Sequence, residues 1–209
     1  MALVGSLWLY ISVIVFSQAV TVKACSRSDN KDSEEENEGP SIPSCCGDFL
    51  KRVADVNPKL SEDGSVSYTQ CVFNRDSGCL ACDSPTGSSH CCTMANSIKD
   101  DTHYSGPVPR GEYLMSQVTH HPMHAIDWIK LLPKKIGEED YWSYSTPNEI
   151  GRSYMSLHPG CLARASVTVD TCAEDSQNDG DCWERTRVVI QGGSIIHNGV
   201  LYSGKLRVV

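Results

Sequence analysis

Eleven cysteines in 209 residues constrain this chain more than any other feature. They stand at Cys25, Cys45, Cys46, Cys71, Cys79, Cys82, Cys91, Cys92, Cys161, Cys172 and Cys182. In an oxidising compartment such a set cross-links the fold, whereas in a reducing one it gathers metal or does redox chemistry. The N-terminus decides between the two. Residues 1–24 hold an apolar segment, Leu7–Phe16, followed by small-residue cleavage positions after Ala19 or Ala24, which is the layout of a secretory signal peptide without its basic leader. That apolar core is shorter than the ~20 residues that span a bilayer, so the mature chain is expected to be secreted, extracellular and free of a stable membrane span. Disulfides then follow, and the odd count leaves at least one cysteine without an intramolecular partner unless it is modified. Cys172 and Cys182 bracket the acidic, turn-rich stretch Ala173–Asp181 and make the first expected bridge. Zinc is the alternative for Cys79-Leu-Ala-Cys82 and His90-Cys91-Cys92, although the second group lacks a clean C-x-x-C spacing.

A formal net charge of −8 argues against a nucleic-acid partner, which needs a basic face. Half of that charge is local. Between Cys25 and Ser44, two basic residues stand against six acidic ones, a net −4, and this segment reads as a solvated, disordered linker. The remainder, 45–209, suits one domain with a helical, cysteine-rich lead-in over 45–66. Phe49, Leu50, Val53 and Ala54 recur at helical spacing within Asp48–Val56. Ser65–Phe73 and Cys79–Cys82 read as a hairpin about the turn Asn74–Gly78, and Ser84–Asp101 as an irregular, disulfide-held loop. The rigid Gly106-Pro-Val-Pro-Arg-Gly111 turn feeds a strand over Glu112–Thr119. Of the histidines that follow, His120, His121 and His124 read as a solvated loop rather than a metal site. Ala125–Leu132 is expected to be a short helix stopped by Pro133, and Glu184–Ile190 and Leu201–Val209 two strands about Gln191–Ser194. The expected fold is mainly β, a sandwich or barrel-like domain with one or two short helices.

The stretch Ile150–Val169 carries the chemistry. It reads as strand, tight turn, strand, with His158 at the His-Pro-Gly turn and Ser166 opening Ser166-Val-Thr-Val169. An imidazole and a hydroxyl brought to one end of neighbouring strands form a base and a nucleophile. A lone histidine beside a Pro-Gly turn is more often a structural or merely exposed residue.

The Gly106-Pro-Val-Pro-Arg-Gly-Glu-Tyr113 turn, followed by Arg152-Ser-Tyr-Met-Ser-Leu-His-Pro-Gly160, Ser166-Val-Thr-Val169 and Tyr202-Ser-Gly-Lys-Leu-Arg-Val208, resembles the L,D-transpeptidase-like effectors of bacterial type VI secretion, distant relatives of the YkuD-type L,D-transpeptidases. The resemblance covers about Ser67–Val209. It implies a small β-rich fold, without a cofactor, acting on peptidoglycan stem peptides through a cysteine acyl-enzyme. Laid on this chain, the family histidine and glycine are His158 and Gly160, the family serine and second glycine fall on Ala163 and Ala165, and the nucleophilic cysteine falls on Ser166. The implied substrate-binding residues are Gly160, Ala165 and Tyr113. A serine hydroxyl stays protonated where a thiol ionises readily, and a methyl at position 165 opposes the backbone angles that glycine permits. These departures point to a binding-only descendant. Two active alternatives use Ser166 with His158 as base and Arg164 at a substrate carboxylate, or the thiol of Cys161, three residues after His158. A third class is a disulfide-rich structural or interaction module. Composition leaves the oligomeric state open.

Overall fold

Alternation of apolar and polar residues builds most of what the computed structural model describes, residues 42–53, 67–135, 142–145, 147–148, 150–172, 178 and 180–209. The expected signal segment, Cys25 and the acidic linker up to residue 41 lie outside them. Helix α1 (Gly47–Val53) precedes β1 (Thr69–Asn74), β2 (Cys79–Ser84), β3 (Gly87–Cys92), β4 (Gly111–Ser116), β5 (Thr119–His120), β6 (Asp127–Pro133), β7 (Met155–Gly160) and β8 (Ser166–Asp170). Helix α2 (Cys182–Gln191), β9 (Ile195–His197) and β10 (Val200–Val208) complete the chain. The strands make one sheet in the order β3-β2-β1-β10-β4-β6-β7-β8, with β5 on β6 and β9 on β10. Its two ends approach each other. Thr93, just after β3, bridges Val169 of β8, and the Met94 amide donates to the Thr168 carbonyl at 2.8 Å, so the sheet nearly closes. The mainly β, disulfide-stapled expectation holds, and so does the hairpin β1–β2.

One face of each strand fills the interior: Cys71 and Phe73, Tyr113 and Met115, Ile129 and Leu131, Met155 and Leu157, Val167 and Val169, Leu206 and Val208. This period of two sends alternate side chains of these six strands into the core. Helix α2 covers part of the same core with Trp183, Val189 and Ile190.

Three elements differ from expectation. The run Ala125–Leu132 contributes strand β6, not a helix, because β4 and β7 flank it on both sides and only a two-residue period sends Ile129 and Leu131 inward together. Glu184–Ile190 lies in helix α2, not a strand. Its Val-Val-Ile run favours strands locally, but Cys182, Trp183, Thr186, Val189 and Ile190 are buried at helical spacing, and this packing overrides propensity. Part of the expected irregular loop 84–101 is β3, paired with β2 from Ser84↔Gly87 to Cys79↔Cys92.

Among the described residues, five disulfides join Cys45–Cys92, Cys46–Cys79, Cys71–Cys82, Cys91–Cys182 and Cys161–Cys172. The expected Cys172–Cys182 bridge is therefore wrong. Cys172 meets Cys161 at the ends of neighbouring strands, and Cys182 fastens α2 to β3 across 91 residues. The vicinal pair Cys45-Cys46 ties α1 to β2 and β3, as its position suggests. The zinc alternative falls with these pairings. Cys79, Cys82, Cys91 and Cys92 each serve a different disulfide, and among the described residues no three side chains are placed to hold a metal. Among the same residues, no helix is long and apolar enough to cross a membrane.

Candidate functional site

Strands β7 and β8 are neighbours and run parallel, from Ser156↔Ser166 to Gly160↔Asp170. The expected tight turn between them is therefore wrong. A parallel neighbour requires the chain to travel back along the strand just made, and only Cys161–Ala165 is available for the journey. The six steps from Gly160 to Ser166 reach about 20–22 Å when extended, enough for the ~13 Å of paired strand they must retrace. The connection is thus a short strap. Gly160 and Ala165 end it with positive φ, +152° and +52°. The Leu162 carbonyl accepts the Thr168 hydroxyl at 3.4 Å, and the Ala165 amide donates to the Gly106 carbonyl at 3.2 Å. Both contacts lay the strap over the face of the sheet turned away from the core.

That face carries Ser156, His158, Ser166 and Thr168, since Met155, Leu157, Val167 and Val169 occupy the core. Ser166 is only 5% exposed, and Thr168 is fully buried. Their hydroxyls bond each other at 2.8 Å. The His158 Nδ1 lies 2.7 Å from the Pro159 carbonyl. A carbonyl only accepts, so Nδ1 holds the proton and Nε2 offers its lone pair. Burial is the main reason that the imidazole titrates below its ordinary value; the Pro159 carbonyl opposes this, and His121 and His124 add to it. Its neutral form is the one a general base needs. No hydrogen bond joins His158 to Ser166, however. The hydroxyl partner of Ser166 is another hydroxyl, which has no basic nitrogen to take its proton.

The remaining expected residues divide. Arg164 is exposed on the strap, and Gly160 and Ala165 are half-buried at its ends. A Cβ on Gly160 would lie 3.5 Å from the Thr168 methyl and 3.8 Å from His158 Nδ1, so the glycine sits against the imidazole. Cys161 is bonded to Cys172 and holds no thiol, which overturns its role as a nucleophile in this state. Tyr113 is 1% exposed and donates its hydroxyl to the Pro109 carbonyl at 2.7 Å. Burial above all raises its ionisation beyond the usual phenol range. It supports the turn from within the core and has no surface for a substrate, correcting the expected binding role.

Sequence reasoning missed Arg152, the one charged residue between Ile150 and Ala163. It is 3% exposed and donates to the carbonyls of Asp101 at 2.6 Å, Pro107 at 3.3 Å and Gly106 at 3.2 Å. Gly106 has no room for a side chain, since a Cβ there would fall 2.0 Å from the Asp100 carbonyl oxygen. The Gly106–Gly111 turn and the strap therefore meet at one atom, the Gly106 oxygen, which accepts from both Arg152 and Ala165.

Beside them opens a cleft of about 530 Å³ whose lining includes Arg75, Thr93, Asn96, Lys99, Ser166 and Asp170. Arg75 is held by the Asp101 carboxylate at 2.8 Å. On the other side of His158, Trp128 stands edge-on to His121 at 4.5 Å and to Tyr144 at 6.2 Å, and Tyr144 to Tyr154 at 5.2 Å. The Lys130 ammonium lies 5.2 Å from the Tyr144 ring centre. Burial, with smaller contributions from Tyr154 and Tyr104, pushes the Tyr144 hydroxyl up to about 12. The period-two placement of Trp128 and Lys130 opposite Ile129 would have revealed this outer group had β6 been read as a strand.

Compared with known proteins, the chain matches no protein-family model, no curated protein and no solved structure.

Proposed function

We propose that this is a secreted, disulfide-stapled binding protein that holds peptidoglycan stem peptides in the cleft beside Ser166 without turning them over. The carrying observation is the state of the two groups that would do the chemistry. Ser166 spends its hydroxyl on Thr168, and His158 has no bond to it. The stem-peptide ligand comes from the resemblance of the Gly106–Tyr113 turn and the His158-Pro-Gly160 segment to L,D-transpeptidase-like effectors. The Gly106 oxygen accepts from Arg152 and Ala165, which stand before and after the His158-Pro-Gly160 segment, and this supports treating turn and segment as parts of one site. So does Ala165, which keeps a backbone angle suited to the glycine of the family pattern. Arg75 and Lys99 at the cleft suit a ligand bearing carboxylates, and Asn96 and Thr93 supply amide and hydroxyl partners.

The second reading, an active serine enzyme, draws on the shared face of His158 and Ser166. One experiment separates the two. Oxidised protein and its Ser166→Ala variant are incubated with muropeptides, products are read by mass spectrometry, and retention on insoluble peptidoglycan is measured in parallel. Retention with unchanged muropeptide masses is expected. A product made by the wild type and absent from Ser166→Ala would establish catalysis and overturn the binding-only reading, while loss of retention would overturn the ligand.

A further inference from the structure

Four of the five described disulfides are built into the interior. Cys46, Cys79, Cys71, Cys82, Cys91, Cys92 and Cys182 are each at most 5% exposed, and Cys45 is half-buried. The fifth differs in its exposure, while sharing with Cys71–Cys82 a place between paired strands. Cys161 is exposed and Cys172 half-buried, and the two join the ends of β7 and β8, strands that their own hydrogen bonds already hold together. Opening this bridge therefore leaves the core and its strand pairing in place, whereas opening Cys91–Cys182 would free α2 from β3. The bridge also fixes the first residue of the strap covering Ser166 and Thr168. Without it, the described hydrogen bonds that hold the strap are the 3.4 Å Leu162–Thr168 contact and the 3.2 Å Ala165–Gly106 contact.

We propose that Cys161–Cys172 is a thiol-exchange site, open to an external dithiol, that latches the strap over the His158–Ser166 face. The thiolate of a small dithiol attacks the exposed Cys161 sulfur, and the bonding pair leaves on Cys172, which takes a proton from water. The second thiol of the reagent then attacks the mixed disulfide, closing its own ring and expelling the Cys161 thiolate. Two electrons pass from the dithiol to the protein, and two protein thiols result. One of them lies three residues after the half-buried His158, and the strap is left with its Leu162–Thr168 and Ala165–Gly106 hydrogen bonds. This exchange is independent of whether the cleft takes a stem peptide.

The test uses the native full chain without denaturant. After graded exposure to dithiothreitol, free thiols are alkylated and mapped by peptide mass spectrometry, with the Cys25 peptide read separately. Cys161 and Cys172 are expected to become labelled about tenfold or more faster than the cysteines of the other four described disulfides, as access governs exchange. Another pair opening first, or all five opening in one step, overturns the site. Trypsin cleavage after Arg164, within the strap, reads the latch. It is expected to quicken about tenfold after this partial reduction, in line with local opening of a segment that has lost its tether. An unchanged rate overturns the latch. A Cys161→Ser/Cys172→Ser protein is expected to be cut quickly with or without dithiol; slow cutting of that variant, with circular dichroism matching the wild type, also counts against the latch.

Discussion

Ala165 has a φ of +52°, a left-handed angle that costs an L-residue with a Cβ about 1 kcal/mol. It is held there by its amide, which is fixed on the Gly106 oxygen. Ala165→Gly is expected to raise stability by about 0.5–1 kcal/mol, the relief of strain outweighing the added freedom of the unfolded chain. Urea unfolding checks this, and a lower midpoint at unchanged slope would show that the angle is not strained. His158 gives a second prediction at this scale. Burial depresses its pKa in the folded state, so between that value and the ordinary 6.5 the unfolded chain binds more protons. Its contribution is full above the ordinary value and is lost as pH falls through the folded one. His90, also depressed chiefly by burial and partly restored by Asp83, acts in the same direction. Wild-type stability should fall on acidification from about pH 7 to 5, and His158→Asn should flatten that fall. An identical slope in both proteins would remove His158 from the effect. A motif drew attention to His158, Gly160 and Ser166, which lie on the paired strands β7 and β8. Arg152 was not legible, because a strand sequence does not show that three carbonyls from a loop some fifty residues earlier will converge on one guanidinium.

At the scale of elements, α2 shows how propensity misleads. Read as a strand, Glu184–Ile190 would put Thr186, Val188 and Ile190 on one face. As a helix it buries Thr186, Val189 and Ile190 and leaves Val188 53% exposed. Adjacent valines therefore distinguish the two arrangements. Val189→Ala should cost about 2 kcal/mol through lost burial and an unfilled space, while Val188→Ala should stay within about 0.5 kcal/mol. Thermal unfolding of the two variants measures the contrast, and equal losses would contradict the helix. The misreading of β6 has the mirror-image cause. Ile126, Trp128, Ile129, Leu131 and Leu132 fit a helical stripe loosely, and nothing in eight residues announces that β4 and β7 will lie on either side. The β7–β8 pair shows a third limit. The sequence indicates two strands and a break, but hairpin and parallel return differ only in the path of five residues, and the parallel register is what places Ser166 level with Ser156 and two positions from the row of His158.

For the whole molecule, the mainly β class was legible from many short strand-like runs, and cross-linking from the cysteine count, because both are properties of composition and local period. Connectivity was not, since a disulfide records spatial neighbours and the expected Cys172–Cys182 bridge used sequence neighbours instead. The observed pairs also rank by the chain they enclose. Cys91–Cys182 spans 91 residues and Cys161–Cys172 spans 11, so in the chain-entropy account the larger loop restrains the unfolded state by about 2 kcal/mol more. Its contribution in the folded state acts in the same direction, because it fastens Trp183, Val189 and Ile190 of α2 over the core. Replacing Cys91 and Cys182 together by serine is therefore expected to lower stability by about 2 kcal/mol more than replacing Cys161 and Cys172. Urea midpoints of the two double variants, with the other disulfides verified as oxidised by mass spectrometry, measure the difference. A larger loss from the Cys161 and Cys172 pair would mean that the strap, and not the link between α2 and β3, is the stronger constraint on the nearly closed sheet.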